Sequence, residues 1–248
     1  MRILLAGDWH ANGTHALATI DLAAQLGIER IVQVGDFGFW PRFQAGRDYL
    51  AAVSHTARER GVEVWFCDGN HEDHDSLPHA DADAPTPLAG GVVWVPRGVT
   101  VRWSDRDLLF MGGAVSVDRD FRTSGRTWFA SEIPSDGQWR RAIRAGPVDV
   151  VVAHDTVPSM PVKGGVPPLS IPWSARRRAS EHRDRLEELR SRTQPELWVH
   201  GHWHDRASAR LAGTRFESLS HDRAGIPGSV LVCDLSNLSI VDPFEDTT

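Results

Sequence analysis

The chain has 248 residues, 41% of them hydrophobic and 24% charged, and a formal net charge of −6 from 33 acids and 27 bases. That length suits one sizeable core, so residues 1–248 are expected to form a single domain. The acidic balance excludes a chain-wide nucleic-acid coat, which demands an excess of Arg and Lys. No apolar run approaches the length of a membrane span. The bases are almost all arginine, with Lys163 the only lysine. Cys67 and Cys233 cannot make a disulfide scaffold and lie in or beside apolar runs, so they read as buried thiols in a reducing compartment. The apolar N-terminus is cut short by Asp8, unlike a secretory signal, and a cytoplasmic location is expected. The odd feature is histidine. There are twelve, and histidine is both the commonest metal ligand and the usual acid–base group near neutral pH.

In chain order, Arg2–Gly7 reads as a short apolar strand. Thr14 is placed to cap a helix whose apolar positions Ala16, Leu17, Ile20 and Ala24 share one face, ending at Gly27. Arg30–Val34 is a second strand, and Gln44–Arg60 a second helix closed by Gly61. Glu63–Cys67 is a third strand. Strands alternating with helices predict parallel pairing in a covered sheet. Residues 71–90 read as a long loop rich in Asp, His and Pro. Short strands follow near Val92–Val95, Thr100–Trp103 and Leu108–Gly112, and their close spacing predicts antiparallel pairing in a second sheet. The Ser135–Gln138 stretch is a capping box that opens a short helix to about Ala145. Val148–Ala153 is a strong apolar strand. Thr156–Trp173, proline-rich and containing Gly164-Gly165, is a long irregular segment of the kind used as a functional lid. A charged helix runs from about Ser174 to Arg192, and Glu196–Val199 is another strand. Ala207–Val241 reads as successive strands with turns at Gly213 and Gly225–Gly228. Two facing mixed β-sheets with helices outside are expected, an α/β fold.

The strand ends carry the chemistry. They read Gly7-Asp8-Trp9-His10, then Gly35-Asp36, then Asp68-Gly69-Asn70-His71-Glu72, then His154-Asp155, then His200-Gly201-His202-Trp203-His204. In an open α/β sheet the C-terminal strand ends line the ligand crevice. Asp-x-His places a hard oxygen and an imidazole on the same side of an extended chain, and His-x-His does the same with two nitrogens. Glycine beside a ligand lets the backbone turn without a Cβ clash. Asp36 has two oxygens and could bridge two cations. Nitrogen and oxygen donors without thiolate fit Mn, Fe or Zn rather than a structural zinc–cysteine site. Each motif alone is weak; their ordered recurrence at strand ends is not.

This ordered set resembles the calcineurin-like metallophosphoesterase family, whose pattern is Asp-x-His, Gly-Asp-x-x-Asp, Gly-Asn-His-Asp/Glu, a lone His, then Gly-His-x-His. The likeness spans residues 8 to 204. It implies a four-layer αββα sandwich with a dinuclear metal centre. Carried over, Asp8, His10, Asp36 and His204 hold one ion, and Asp36, Asn70, His154 and His202 the other, with Asp36 bridging. His71 is then a general acid facing the leaving group, not a ligand. The implied reaction is hydrolysis of a phosphodiester or small phosphomonoester by a hydroxide held between two ions. The sequence departs from the family at Phe39, where a second acid usually stands; either another group, Glu72 or Asp73, orients His71 instead, or the acid role of His71 is weaker. The Asp-Arg-Gly extension of protein Ser/Thr phosphatases is also missing, which argues against a protein substrate.

Other residues read as ordinary. His200 is expected to be packed, and His15, His55, His182 and His221 to lie on the surface or a helix face. His74 and His79 with Asp73, Asp75, Asp81 and Asp83 read as an exposed acidic rim rather than a further metal site. The arginines from Arg176 to Arg192, interleaved with acids, read as a solvated helix. Trp9, Trp40 and Trp203 flank motif positions and are candidates to wall the site or stack on an aromatic leaving group. Two other functions compete with a phosphoesterase: a non-catalytic interaction scaffold on the same fold, and a nuclease of the same superfamily. The scaffold is disfavoured because every ligand position is filled, the nuclease because the chain is acidic. A metallo-β-lactamase is set aside, since its His-x-His-x-Asp-His motif would need aspartate where Arg206 stands. Substrate choice is expected to reside in loops 37–43, 72–90, 113–130 and 156–175.

Overall fold

The computed structural model describes residues 1–78, 82–163 and 171–245. Its strands are β1 (Arg2–Ala6), β2 (Arg30–Gln33), β3 (Glu63–Phe66), β4 (Thr86–Ala89), β5 (Val92–Trp94), β6 (Val99–Trp103), β7 (Arg106–Met111), β8 (Val150–Ala153), β9 (Leu197–His200), β10 (Ala207–Leu211), β11 (Thr214–Ser218), β12 (Val230–Asp234) and β13 (Ser239–Val241). The helices are α1 (Gly13–Gln25), α2 (Gln44–Arg60), α3 (Asp136–Arg144), α4 (Trp173–Thr193) and α5 (Gly225–Ser229). One sheet has seven strands in the order β13-β12-β1-β2-β3-β5-β4, and the other six in the order β10-β11-β9-β8-β7-β6.

Strand alternation builds the layers. Ile3, Leu5, Val32 and Val34 point from the first sheet to meet Leu108, Phe110, Val150, Val152, Leu197 and Val199 of the second. The opposite faces are apolar too. Leu4, Ala6, Ile31, Val64 and Phe66 pack under Ala16 and Ile20 of α1 and Val53 and Ala57 of α2. Leu109, Met111, Val151, Ala153 and Trp198 pack under Trp139 and Ala142 of α3 and Leu186 and Leu189 of α4. Because the central strands are covered on both faces, they read as continuous apolar runs. The result is the expected αββα sandwich of two mixed sheets.

Several details differ from the sequence reading. β4 lies inside the stretch read as loop, and β5 joins the first sheet, parallel to β3 and antiparallel to β4. Only β6 and β7 form the expected antiparallel pair of the second sheet. Short strands in succession do not reveal which sheet they enter; all of Val92–Trp94 is buried, as a doubly covered position requires. The tail divides, with β10 and β11 in the second sheet and β12 and β13 returning to the first, where β12 lies antiparallel to β1. α1 is capped by Asn12, whose side chain accepts from the His15 N–H, and not by Thr14. α2 ends at Gly61 and α3 opens on the Ser135 capping box, both as read. α4 is not solvated all round: Ala175, Ala179, His182, Arg183, Leu186 and Leu189 are buried. Gly164-Gly165, in the segment read as a lid, lies outside the described residues.

A buried ion pair braces the turn after β3. Asp68 and Arg97 are 1% and 4% exposed. Arg97 Nε donates to Asp68 Oδ2 at 2.7 Å, and its other nitrogens donate to the Ser131 and Glu132 carbonyls at 2.9 and 3.0 Å. Trp94 Nε1 donates to the second Asp68 oxygen at 3.2 Å. Burial alone would raise the Asp68 carboxyl; the Arg97 charge and hydrogen bond outweigh it and hold the group below its ordinary value. Arg97→Ala is therefore expected to cost about 3–5 kcal/mol of folding stability at neutral pH, because it strands a buried charge. The pair's contribution is present at neutral pH and fades as pH falls through the folded-state value. Urea denaturation of both proteins checks this; a loss near zero at neutral pH would mean that Asp68 does not rely on Arg97.

Candidate metal centre

The carboxyl ends of β1, β2, β3, β8 and β9 meet at one edge of the sandwich. Asp8, His10 and His204 each offer a donor atom, and these lie within 4.8 Å of one another; Asp8, Asp36 and His154 do the same. Asp36 stands between two histidines. Its Oδ2 is 3.3 Å from His10 Nε2 and its Oδ1 is 3.5 Å from His154 Nε2. His204 Nε2 is 3.4 Å from Asp8 Oδ2. Asn70 Oδ1 is 3.1 Å from His154 Nε2, and the His202 ring centroid is 5.0 Å from that of His154. All the residues expected to bind metal are thus brought together, with Asp8 and Asp36 almost wholly buried.

The backbone is bent to achieve this. His10, Asp36, His202 and His204 sit at φ of 47°, 53°, 67° and 54°, in the left-handed region that non-glycine residues rarely adopt. Such strain collects at functional sites, where the surroundings over-determine it. Of the neighbouring glycines, Gly35 turns the chain at φ 104°, whereas Gly201 gives room. A Cβ on Gly201 would lie 2.0 Å from Asp8 Oδ1, so only glycine lets that carboxylate approach.

Ring orientations are fixed from behind. His154 Nδ1 is 2.9 Å from the Val34 carbonyl, and His10 Nδ1 is 3.1 Å from Asp222 Oδ1. Each partner accepts a hydrogen bond from Nδ1–H and leaves Nε2 facing the carboxylates, the arrangement that suits a metal-binding imidazole. Asn70 is held the same way. Its Nδ2 donates to Ser116 Oγ at 3.0 Å, and that hydroxyl donates to Glu132 Oε2 at 2.5 Å, which leaves the Asn70 oxygen free to face His154.

The imidazoles and carboxylates of the cluster interact strongly. Burial would lower His10 and His154, but Asp36, with Asp8 behind it, outweighs burial and pushes them up to about 9 and about 10. Burial would likewise raise Asp36, yet the charges of His154 and His71 hold it well below the usual range. Burial leaves His202 at about 4, a neutral nitrogen donor. Buried carboxylates, neutral or proton-exchanging imidazoles and an amide oxygen, with no thiolate, fit hard-to-borderline divalent or trivalent ions.

His71 has a different neighbour from the one expected. Glu72 accepts from the Gly38 and Gly69 N–H groups at 3.2 and 3.0 Å, and Asp73 is clamped by Arg42 at 2.5 Å through both oxygens. Both acids are fully buried on the far side of the turn, so neither reaches the His71 ring. Burial, then Asp36 and Asp68, push the Glu72 carboxyl up to about 8. The ring meets Arg122 instead, whose Nη2 donates to His71 Nε2. Arg122 is held in turn by Asp118 Oδ2 at 2.8 Å and lies 3.5 Å from the Asn70 carbonyl oxygen. The His71 N–H donates to Asp36 Oδ1 at 2.8 Å.

Other expectations need correction. His221 is not a bland surface group: its ring stacks on His204 with centroids 4.1 Å apart and planes 7° apart. His15 and His182 lie on helix faces, as read, but on the buried ones, His15 within reach of Ser229 Oγ at 3.1 Å and His182 against Trp139. His200 is packed and His55 exposed, as read. His74 and Asp73 are buried rather than on an exposed rim; His79 and Asp81 lie outside the described residues. Trp9 is fully buried among core residues and cannot stack on a ligand. Trp40 packs near Phe43 and Phe129, and Trp203 Nε1 donates to the buried Asp155 at 2.8 Å beneath the Arg183 guanidinium. Sequence reasoning missed Arg122, Ser116, Glu132, His221 and Asp222, which belong to no local motif. Only their residue types were visible.

The family profile of the calcineurin-like phosphoesterases matches residues 1–206, and the chain belongs to that family. Its members are hydrolases of phosphoesters, and the two sheets and flanking helices are their fold. A protein of Thermus thermophilus is 12% identical, with 97% of this chain and 96% of that one covered and a TM-score of 0.59. A dimetal phosphatase from Danio rerio is 13% identical, with 94% and 92% covered and a TM-score of 0.55. The anchor protein of the inner membrane complex of Plasmodium is 14% identical, with 97% and 82% covered and a TM-score of 0.56. At such identity these likenesses show the fold. No curated protein sequence matches the chain. Among the described residues, no helix is long and apolar enough to cross a membrane.

Proposed function

We propose that the chain is a cytoplasmic, metal-dependent phosphoesterase that hydrolyses phosphodiester or small phosphomonoester bonds at a dinuclear centre. One observation carries this reading. The two oxygens of buried Asp36 face two different imidazoles, His10 and His154, as a carboxylate shared between two ions must. Asp8, His10, Asp36 and His204 would hold one ion, and Asp36, Asn70, His154 and His202 the other; Mn, Fe and Zn all suit the donors. Two such ions would supply an activated water and would neutralise charge on the phosphate oxygens.

The chain's own residues do the rest. Asp222 and the Val34 carbonyl keep His10 and His154 in one tautomer and orientation. Arg122, beside His71, offers a guanidinium that could pair with the phosphate oxygens of a substrate. His71 is the candidate proton donor to the leaving oxygen once Arg122 has left it: while Arg122 donates to Nε2 that nitrogen carries no proton, and burial, then the Arg122 charge, lower the ring below its ordinary value, the opposite of what the family's acid would do. Arg122 can let go of that ring and pair with the phosphate when substrate arrives, since guanidinium–phosphate pairing is the stronger contact.

The deciding experiment is metal analysis of purified protein, paired with mono- and diester substrates under Mn, Fe and Zn. About two ions per chain and turnover of at least one phosphoester are expected. The Plasmodium protein is an anchor on the same fold. Fewer than about two ions with no turnover would favour a scaffold of that kind, because the two-ion reaction requires both.

A further inference from the structure

The family profile ends at residue 206, yet the chain beyond it returns to the candidate metal centre. After β11, Leu219 and Ser220 lead into a turn that runs beside the end of β1. The Asp222 N–H donates to the Asp8 carbonyl at 2.9 Å, and Asp8 and His221 form a parallel bridge. The approach is close enough that a Cβ on Gly7 would lie 1.8 Å from the Ser220 carbonyl oxygen. This turn delivers three consecutive polar residues to the mouth of the site. Asp222 accepts from Asn12 Nδ2 at 2.8 Å and engages His10. His221 lies flat on His204. Arg223 is exposed and, among the described residues, has no ion-pair partner.

His10, His204, His221, Asp222 and Arg223 line one open pocket of about 360 Å³. That volume suits part of a small ligand. Its walls are unequal in charge. Asp222 is already engaged by His10 and Asn12, so the one uncommitted charge is the Arg223 guanidinium. His10 and His204 tie the pocket directly to the atoms that would hold metal. Arg122 lies elsewhere, on the His71 face of His10: the His10 ring is 5.6 Å from that of His71 and 6.3 Å from that of His221.

We propose that this pocket is a substrate subsite that takes a second anionic group, a carboxylate or phosphate, attached to the phosphoester. Arg223 is its charge partner and the His221 ring its flat wall. The inference rests on the phosphoesterase reading and deepens it: the substrates are small phosphoesters bearing another negative charge, and an uncharged alkyl or aryl ester gains nothing from the pocket. A guanidinium suits the role because its planar fork pairs with either anion through two hydrogen bonds.

Titration calorimetry of the metal-loaded protein tests this without turnover, using phosphonopropionate and propylphosphonate. The two share the phosphonate and the chain length and differ in the terminal carboxylate. The protein is expected to bind phosphonopropionate about tenfold more tightly, the yield of one charge-assisted contact. Arg223→Gln is expected to bring the two affinities together, and Arg223→Lys to keep most of the difference. Equal affinities in the unsubstituted protein, or a preference that survives Arg223→Gln, overturn the subsite, as does failure to bind either phosphonate. The two readings fail separately. Phosphoester turnover without the carboxylate preference removes the subsite alone. The preference without turnover of any phosphoester removes the reaction and leaves an anion-binding pocket.

Discussion

Asp36→Ala is expected to lower the metal content of the purified protein from about two ions per chain to one or none, and phosphoesterase activity by at least about 10³-fold. Among the described residues, no other side chain has an oxygen towards each of two imidazoles, His10 at 3.3 Å and His154 at 3.5 Å. Its loss also frees the His71 N–H that it accepts at 2.8 Å. Asp36→Asn separates charge from shape, because the amide keeps one oxygen and the volume while losing the anion. It is expected to fall nearer to Asp36→Ala than to the parent protein, since two like-charged ions need a shared anion between them. Plasma emission spectrometry of the variants gives the ion count, and circular dichroism confirms that the sandwich still forms. A folded Asp36→Ala protein that keeps two ions would falsify the bridging role.

His71→Ala is expected to do the opposite with metal: leave the ion count intact while lowering turnover by about 10²–10⁴-fold, the usual yield of a general acid. His71 donates no side-chain atom to either group of potential ligands. Its ring faces Arg122 beside His10. The size of the loss depends on the leaving group if His71 supplies a proton. Alkyl and phenyl esters, whose alkoxide or phenoxide leaves poorly, are expected to suffer the full loss. A p-nitrophenyl ester, whose phenoxide needs little protonation, is expected to suffer much less. Equal losses across that series would assign His71 to holding the phosphate rather than to proton transfer, and metal loss equal to that of Asp36→Ala would make it a ligand.

Much of this site was readable because each of its pieces is local. Asp8-Trp9-His10 and His202-Trp203-His204 place two donors within three residues, and each follows an apolar run whose length and composition mark a strand. The alternation of those runs with amphipathic segments predicted the parallel part of the first sheet, and the Ser135–Gln138 box fixed the start of α3 to the residue. A strand, a cap or a ligand pair is set by contacts within a few positions, which a sequence displays directly. The ordered set then pointed to a family, and the family to the two-sheet sandwich.

Partners that arrive from far along the chain were not readable. Asp222 meets His10 across 212 residues and Arg122 meets His71 across 51, with no shared motif. Glu72 and Asp73 looked like replacements for the acid missing at Phe39 because they are near in sequence. The turn after β3 buries both carboxylates against the Gly38 and Gly69 amides and Arg42 instead. The same limit hid the sheet that β5 joins, since pairing depends on which edge is open when the layers pack.

By itself, then, the amino-acid sequence determined the α/β class, the strand ends and the identities of the candidate donors Asp8, His10, Asp36, Asn70, His154, His202 and His204. The tertiary structure alone decided how those donors face one another, which groups lock their rings, that Arg122 and not an acid attends His71, and that the tail returns His221, Asp222 and Arg223 to the site. The division has one physical cause. Strand propensity and turn chemistry act over a few residues, whereas the approach of a carboxylate to a distant imidazole is set by how two sheets and their helices exclude water together.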